Sequence, residues 1–230
     1  MPTYHCMFEQ SGTFKNEFKK LGFNAIDYDI LNDYGETDQV VDLFTEIQKA
    51  YWNEDSIFDE IREGDEILAF FPCVRFEDQI QMHFRGNSNG MQGWDTKRKL
   101  EYDLKLHDEL HHLYNMVTML AIVCLDRKIP LILENPYSTT HYLVKYWPVK
   151  AAIIDMDRRD MGDYYMKPTQ YWFIGRSPSN NFIFEGIDRK KSKRIDAERG
   201  AEHSMISKDY ANRFIREFVL PHCDVDCDVQ

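Results

Sequence analysis

The stretch Asp65-Glu-Ile-Leu-Ala-Phe-Phe-Pro-Cys73 decides the fold that this sequence predicts. Its uninterrupted apolar run, from Ile67 to Phe71, is typical of a strand covered on both faces, as in a parallel α/β sheet. Pro72 cannot continue a central ladder, so we expect the strand to end there and present Cys73 at its carboxyl edge. Open α/β sheets bind ligands at that edge. Cys73 is therefore either a candidate nucleophile or a small residue that ends a buried strand.

A second apolar strand ends in the same way, in the stretch Ile129-Pro-Leu-Ile-Leu-Glu134-Asn-Pro136. It presents an acid, an amide and a proline at a carboxyl edge. If the two strands are neighbours, Glu134 and Cys73 face one crevice, because parallel strands end at the same edge of a sheet.

The N-terminal segment has the pattern of a βαβ unit. A strand from Thr3 to Phe8 is followed by a helix from Lys15 to Leu21 and by a second strand from Phe23 to Asp29. An acid at the end of the second strand is the arrangement that binds an adenosine through its ribose hydroxyls. Gly12, in the strand-to-helix turn, is a weak signal alone.

Three longer segments complete the pattern. Residues 74–94 contain three glycines among polar and aromatic residues, which predicts a long loop that closes or binds. Residues 97–126 have helical periodicity, with an apolar side that runs from Leu100 and Leu104 to Cys124. Residues 207–220 predict a closing helix capped by Ser207. The fold class is therefore α/β in a single domain.

The composition narrows the class of protein. The chain has 230 residues, of which 43% are hydrophobic, so it can bury one substantial core. It has no apolar run that could span a membrane and no signal-peptide pattern at its start. Five scattered cysteines suit reduced thiols. We expect a soluble, cytoplasmic protein that does not associate with membranes.

The charge is unevenly distributed. The net charge of −11 argues against indiscriminate binding to nucleic acid. Five positive charges nevertheless fall within six residues: Arg189, Lys190, Lys191, Lys193 and Arg194. This basic run is either a solvated loop or a segment that contacts phosphates.

A histidine pair in the long helix gives a third hypothesis. His107 and His111 are four residues apart, the spacing at which one helix face can hold a metal ion. Asp108 follows the first histidine where the zinc-protease pattern requires glutamate, and no third ligand is evident. A metal-dependent hydrolase is the least favoured of the functions considered.

Taken in order, these pieces resemble the DNA cytosine methyltransferases that act at ring carbon 5, especially the small phage and mobile-element enzymes. The motifs that carry the resemblance are Phe8-Glu-Gln-Ser-Gly12-Thr, Phe71-Pro-Cys73, Glu134-Asn-Pro136 and Lys167-Pro-Thr-Gln-Tyr-Trp172. The resemblance implies a Rossmann-like, doubly wound sheet of the class I methyltransferase type over residues 1–220. It also implies a catalytic loop at 74–94, a variable loop at 176–205 that carries the basic run, and a tail at 221–230.

The resemblance assigns roles to individual residues. Cys73, Glu134 and Arg159 would be catalytic. The S-adenosylmethionine cofactor would lie against Phe8, Glu9, Ser11, Gly12, Thr13, Asp29, Asp42 and Pro72, with Asp29 on the ribose and Asp42 on the adenine amino group. The nucleic acid, most simply DNA, would contact Arg75, Asn135, Arg158 and the basic run, Arg189, Lys190, Lys191, Lys193 and Arg194.

The implied chemistry explains the residue types. A cysteine thiolate adds to ring carbon 6 of cytosine, and carbon 5 then attacks the methyl group of the cofactor, while Glu134 hydrogen-bonds ring nitrogen 3. A thiol is mostly protonated at neutral pH, so a cation must stabilise the thiolate, and Arg75 and Arg159 are the candidates. The target base must leave the duplex. The alternative is a relative that keeps the fold but serves as a non-catalytic nucleic-acid or protein-binding module.

Overall fold

The computed structural model describes residues 2–78, 80–187 and 205–221. In this part of the chain the strands are β1 (Thr3–Met7), β2 (Asn24–Asp29), β3 (Gln39–Val40), β4 (Glu66–Phe70), β5 (Leu131–Pro136), β6 (Ile153–Asp155) and β7 (Thr169–Ile174). The α-helices are α1 (Thr13–Lys20), α2 (Leu43–Tyr51), α3 (Ile80–Phe84), α4 (Thr96–Asp126), α5 (Tyr142–Tyr146) and α6 (Lys208–Phe214).

The strands form one mostly parallel sheet of seven strands in the order β3-β2-β1-β4-β5-β7-β6. Strands β1 to β5 pair in parallel, whereas β7 is antiparallel to both of its neighbours. The α/β prediction is confirmed. The strand order reverses direction between β1 and β4, and the crevice at such a switch point is where open α/β sheets bind their ligands.

Helices cover both faces of the sheet because its strands are apolar on both sides. In β4, Ile67 and Ala69 pack into one apolar cluster with α2 and α4, while Leu68 packs into the other with α1 and α6. In β7, Trp172 packs into the first of these clusters and Tyr171 into the second. This alternation follows from the two-residue period of a strand. It explains why the strand sequences are continuous apolar runs.

Three details differ from the sequence predictions. The 74–94 segment is not structureless, since it contains α3 and a 3₁₀ turn at Asn89–Met91. The helix predicted at 97–126 is confirmed as α4, but Leu100 and Leu104 are exposed, so only its later turns pack on the sheet. The closing helix starts at its Ser207 cap as predicted, and it ends in a π-helical turn at Ile215–Val219.

No helix in the three described ranges is long and apolar enough to cross a membrane.

Candidate active site

A cleft of about 260 Å³ opens at the carboxyl edge of β1, β4 and β5. It lies at the switch point of the sheet. Eight of the residues predicted from the sequence line it: Phe8, Glu9, Ser11, Thr13, Asp29, Pro72, Cys73 and Glu134. The structure thus brings the predicted nucleophile, the predicted ring-binding acid and most of the predicted cofactor residues into one cavity.

Strand pairing accounts for the meeting of Cys73 and Glu134. Phe70, the last residue of β4, lies opposite Glu134 in the parallel register with β5. Asn135 reinforces the pairing, because its side-chain nitrogen donates a hydrogen bond of 2.8 Å to the backbone oxygen of Phe71. Asn135 is fully buried, so in this structure its side chain holds the two strand ends together and is not exposed to a nucleic acid.

The Cys73 thiol is held in its neutral form. Its Sγ donates a hydrogen bond of 2.9 Å to Oε1 of Glu77. Burial raises the pKa of the thiol far above its ordinary value, and the Glu77 carboxylate raises it further, while Lys167 acts in the opposite direction. Burial and a like charge both disfavour a thiolate.

Glu134 lies near the end of the buried strand β5, where its side chain has little contact with water. Burial raises the pKa of Glu134, and the positive charges of Lys167 and Arg158 offset part of that rise. A carboxyl with a raised pKa stays protonated closer to neutral pH and can then donate a hydrogen bond.

The turn between β1 and α1 has an unusual backbone. Phe8 has a φ of 59° and Gly12 a φ of 62°. Glycine adopts this region without cost, whereas a residue with a bulky side chain is strained there. A Cβ added at Gly12 would lie 3.0 Å from Oε2 of Glu36, so a side chain there would have to displace Glu36 in addition to straining the backbone.

Glu9 closes the start of α1. Its carboxylate accepts the backbone N–H groups of Phe14 at 2.7 Å and of Lys15 at 3.3 Å. Burial raises the pKa of Glu9 to about 7, against the lowering effect of those two N–H donors. A phosphate at a helix N-terminus would use such N–H groups. Here a side chain of the protein already occupies them.

The two acids expected to bind adenosine lie in different surroundings. Asp29 lines the cleft at the end of β2, and its Oδ1 accepts a hydrogen bond of 2.8 Å from the backbone nitrogen of Leu31. Asp42 is the cap of α2, where it accepts hydrogen bonds from the backbone of Phe44 and the hydroxyl of Thr45. Asp42 is not among the residues that line the cleft, and in this structure its carboxylate caps α2.

The arginines expected at the site are engaged elsewhere. Arg158 is 1% exposed and pairs with the equally buried Asp163, which keeps it from contacting a phosphate in this structure. Arg159 pairs with Asp157, and Arg75 pairs with Glu109 of α4. Neither Arg75 nor Arg159 is among the groups that shift the pKa of the Cys73 thiol most in this structure.

Lys167 takes that place. It lines the cleft, and its charge lowers the pKa of both the Cys73 thiol and the Glu134 carboxyl. The sequence signal for Lys167 was the Lys-Pro-Thr motif, but the motif by itself gave the lysine no role. No sequence pattern pointed to Glu77, because its carboxylate reaches the thiol only through the turn that follows Cys73.

Two further groups were predicted from the sequence, the basic run and the histidine pair. The basic run Arg189–Arg194 falls outside the described residues. Nε2 of His107 lies 3.7 Å from Oδ1 of Asp103, and His111 contacts the side chain of Asn115. The described ranges contain no group of three histidine, cysteine or acidic side chains that could hold a metal ion.

No protein-family model matches this chain, and a comparison with curated proteins finds no significant relative. The cleft and the sequence motifs that form it are therefore the guide to function.

Proposed function

We propose that this protein is an S-adenosylmethionine-dependent methyltransferase that methylates carbon 5 of cytosine in DNA. The observation that carries the proposal is the convergence of Cys73 and Glu134 in one cleft with Asp29 and the β1–α1 turn. A thiol beside a carboxyl that can stay protonated is the pair that activation of a pyrimidine ring requires.

The start of α1 indicates the class of cofactor. Cofactors that carry a pyrophosphate bind it with the free N–H groups of a helix N-terminus. Glu9 already accepts the N–H groups of Phe14 and Lys15, and its carboxylate would repel a phosphate. Asp29 is available to the ribose of an adenosine. An adenosine cofactor without phosphate fits these residues better than a dinucleotide.

The topology agrees with this choice. The strand order β3-β2-β1-β4-β5-β7-β6, mostly parallel with an antiparallel β7, is compatible with the Rossmann-like sheet that the sequence resemblance implies. Fold alone does not specify function. The fold supports the proposed methyltransferase because the predicted site residues lie at the carboxyl edge of the sheet, where such a fold binds its ligands.

The roles of the residues follow from their environments. Cys73 forms a bond to ring carbon 6, and Glu134 donates its proton to ring nitrogen 3, which makes carbon 5 nucleophilic. Lys167 stabilises negative charge on sulfur as the thiol proton leaves. Bound S-adenosylmethionine supplies an electrophilic methyl group on a sulfonium. Phe8, Phe70 and Phe71 line the same cleft and make part of its wall apolar.

The neutral state of the thiol supports a second candidate, a non-catalytic module that keeps the fold and the cofactor. Glu77 raises the pKa of Cys73 in addition to burial, which disfavours the thiolate. Such a module would bind S-adenosylmethionine and transfer nothing.

Transfer of labelled methyl groups separates the two candidates. The purified protein is incubated with labelled S-adenosylmethionine and duplex DNA, single-stranded DNA, RNA or deoxycytidine monophosphate. We expect label on cytosine of DNA, and Cys73→Ser should abolish it. Cofactor binding without label on any substrate would support the non-catalytic module and contradict the enzyme.

A further inference from the structure

The hydrogen bond between Cys73 and Glu77 joins the nucleophile to a carboxylate four residues away. The backbone nitrogen of Phe76 donates a hydrogen bond of 2.7 Å to the oxygen of Cys73, which closes a turn directly after β4. This turn returns the chain toward the thiol and places Oε1 of Glu77 at 2.9 Å from Sγ.

Packing on either side fixes the position of Glu77. Phe76 is 1% exposed and packs against the rings of Phe71 and Tyr142, and its backbone oxygen accepts a hydrogen bond from the nitrogen of Tyr142. Asp78 accepts hydrogen bonds from the hydroxyls of Ser138 and Thr140. Glu77 thus lies between two anchored residues, and its contact with the thiol is built into the fold.

The charged groups that face the thiol come from three parts of the chain. Glu77 follows β4, Glu134 ends β5, and Lys167 precedes β7. Glu134 is needed as a proton donor to the ring, and Lys167 carries no basic lone pair while it is charged. Of these three groups, Glu77 is the one that combines contact with the S–H group and capacity to accept its proton.

Resting on the proposed function, we infer that Glu77 is the general base that takes the Cys73 proton during attack on the pyrimidine ring. The S–H proton moves to Oε1 of Glu77 while the sulfur lone pair forms the bond to carbon 6. The π electrons of the ring shift toward nitrogen 3, which takes the proton of Glu134. Glu77 is then a catalytic residue, because it touches the reacting sulfur.

The remaining steps return both protons. Carbon 5 bonds to the methyl group, the methyl–sulfonium bond breaks with its electron pair remaining on the cofactor's sulfur, and nitrogen 3 returns its proton to Glu134. The proton on carbon 5 leaves to water as the bond between Sγ and carbon 6 breaks. Sulfur then recovers its proton from Glu77, and the net products are one methylated cytosine, the demethylated cofactor and one released proton.

The test uses Glu77→Gln, which keeps the size of the side chain and removes its charge and basicity. Alkylation of Cys73 by iodoacetamide, followed by mass spectrometry of the Cys73 peptide, reports the pH at which the thiol ionises. We expect the alkylation midpoint to move to lower pH, because a negative charge beside the sulfur is lost. Methyl transfer at pH 7 should fall about 100-fold, a typical loss for a general base, and recover as pH rises through the thiol midpoint.

Three further variants make the result specific. Glu77→Asp retains a carboxylate at shorter reach and should retain more transfer at pH 7 than Glu77→Gln. Lys167→Met should move the alkylation midpoint to higher pH, opposite to Glu77→Gln. Glu101→Gln, which removes a carboxylate 64% exposed on α4, should change neither measurement.

A more reactive thiol combined with slower methyl transfer is the result that a merely structural role would not give. Unchanged transfer at pH 7 in Glu77→Gln, with active wild-type protein, would overturn the role of Glu77 and leave the proposed function standing. Wild-type protein that transfers nothing to any nucleic acid would overturn both. Alkylation needs no nucleic acid, so it still reports the coupling between the two side chains in that case.

Discussion

The side-chain nitrogen of Asn135 donates a hydrogen bond of 2.8 Å to the backbone oxygen of Phe71, two residues before Cys73. This bond crosses from the end of β5 to the end of β4, so it sets the position of Cys73 relative to Glu134. The relative positions of Cys73 and Glu134 therefore depend on the buried side-chain amide of Asn135.

Replacing Asn135 by Ala should lower the free energy of unfolding by about 1–3 kcal/mol, because the Phe71 oxygen loses a buried donor. Methyl transfer should fall, while affinity for S-adenosylmethionine changes little. Urea unfolding and calorimetry measure the two effects. Asn115→Ala is the matched control, since that amide contacts His111 on the outer side of α4. Equal losses in both variants would contradict a special role for Asn135.

Replacing Asp29 by Ala should weaken the binding of S-adenosylmethionine by about 1–3 kcal/mol, the usual loss for hydrogen bonds to a charged acceptor. Asp42→Ala is the comparison. Because Asp42 caps α2 outside the cleft, its loss should lower stability by about 0.5–2 kcal/mol and leave cofactor affinity nearly unchanged. Calorimetry of both variants decides, and undiminished binding by a folded Asp29→Ala protein would remove Asp29 from the cofactor site.

The buried carboxyl of Glu9 should make stability depend on pH. Its pKa is about 7 in the folded protein against 4.5 for the free side chain. The unfolded chain therefore releases this proton first, so the stabilising contribution is complete below pH 4.5 and is lost as pH rises to about 7. At about 1.4 kcal/mol per pH unit, the whole change is on the order of 3 kcal/mol.

Thermal unfolding of Glu9→Gln and wild-type protein from about pH 4 to about pH 8 measures this effect. The amide that replaces the carboxyl cannot titrate, so the stability of the variant relative to wild type should rise across that window and then level. Glu63→Gln, at a carboxylate 73% exposed, should follow wild type throughout. A constant difference between Glu9→Gln and wild type would show that Glu9 titrates normally.

The α/β sheet and the positions of Cys73 and Glu134 could be predicted from local features of the sequence. Apolar runs gave β4 and β5, and the prolines Pro72 and Pro136 gave their ends, so Cys73 and Glu134 could be assigned to one edge. The direction of β7 had no local signal, because strand direction depends on the connection. Leu100 and Leu104 fit the helical period of α4 but are exposed, because this end of the helix extends beyond the core that buries its later turns.

The charged partners could not be predicted in the same way. Arg158 and Asp163 are five residues apart and form a buried pair through a 3₁₀ turn. Glu77 reaches Cys73 only because the Phe76 turn is anchored by α5. Ion pairs of this kind depend on tertiary packing, so the resemblance named Arg75 and Arg159 as cations for the thiol and did not single out Lys167.

Covalent trapping by DNA that contains 5-fluorocytosine tests the central claim most directly. Once Cys73 has bonded to carbon 6 and the methyl group has transferred, the fluorine cannot leave as a proton does, so the protein stays attached to the DNA. Wild-type protein with S-adenosylmethionine should give a complex that survives denaturing electrophoresis, with the DNA on the Cys73 peptide, and Cys73→Ser should give none. A wild-type protein that binds both the cofactor and the DNA without forming this adduct, or an adduct that persists in Cys73→Ser, would contradict the account.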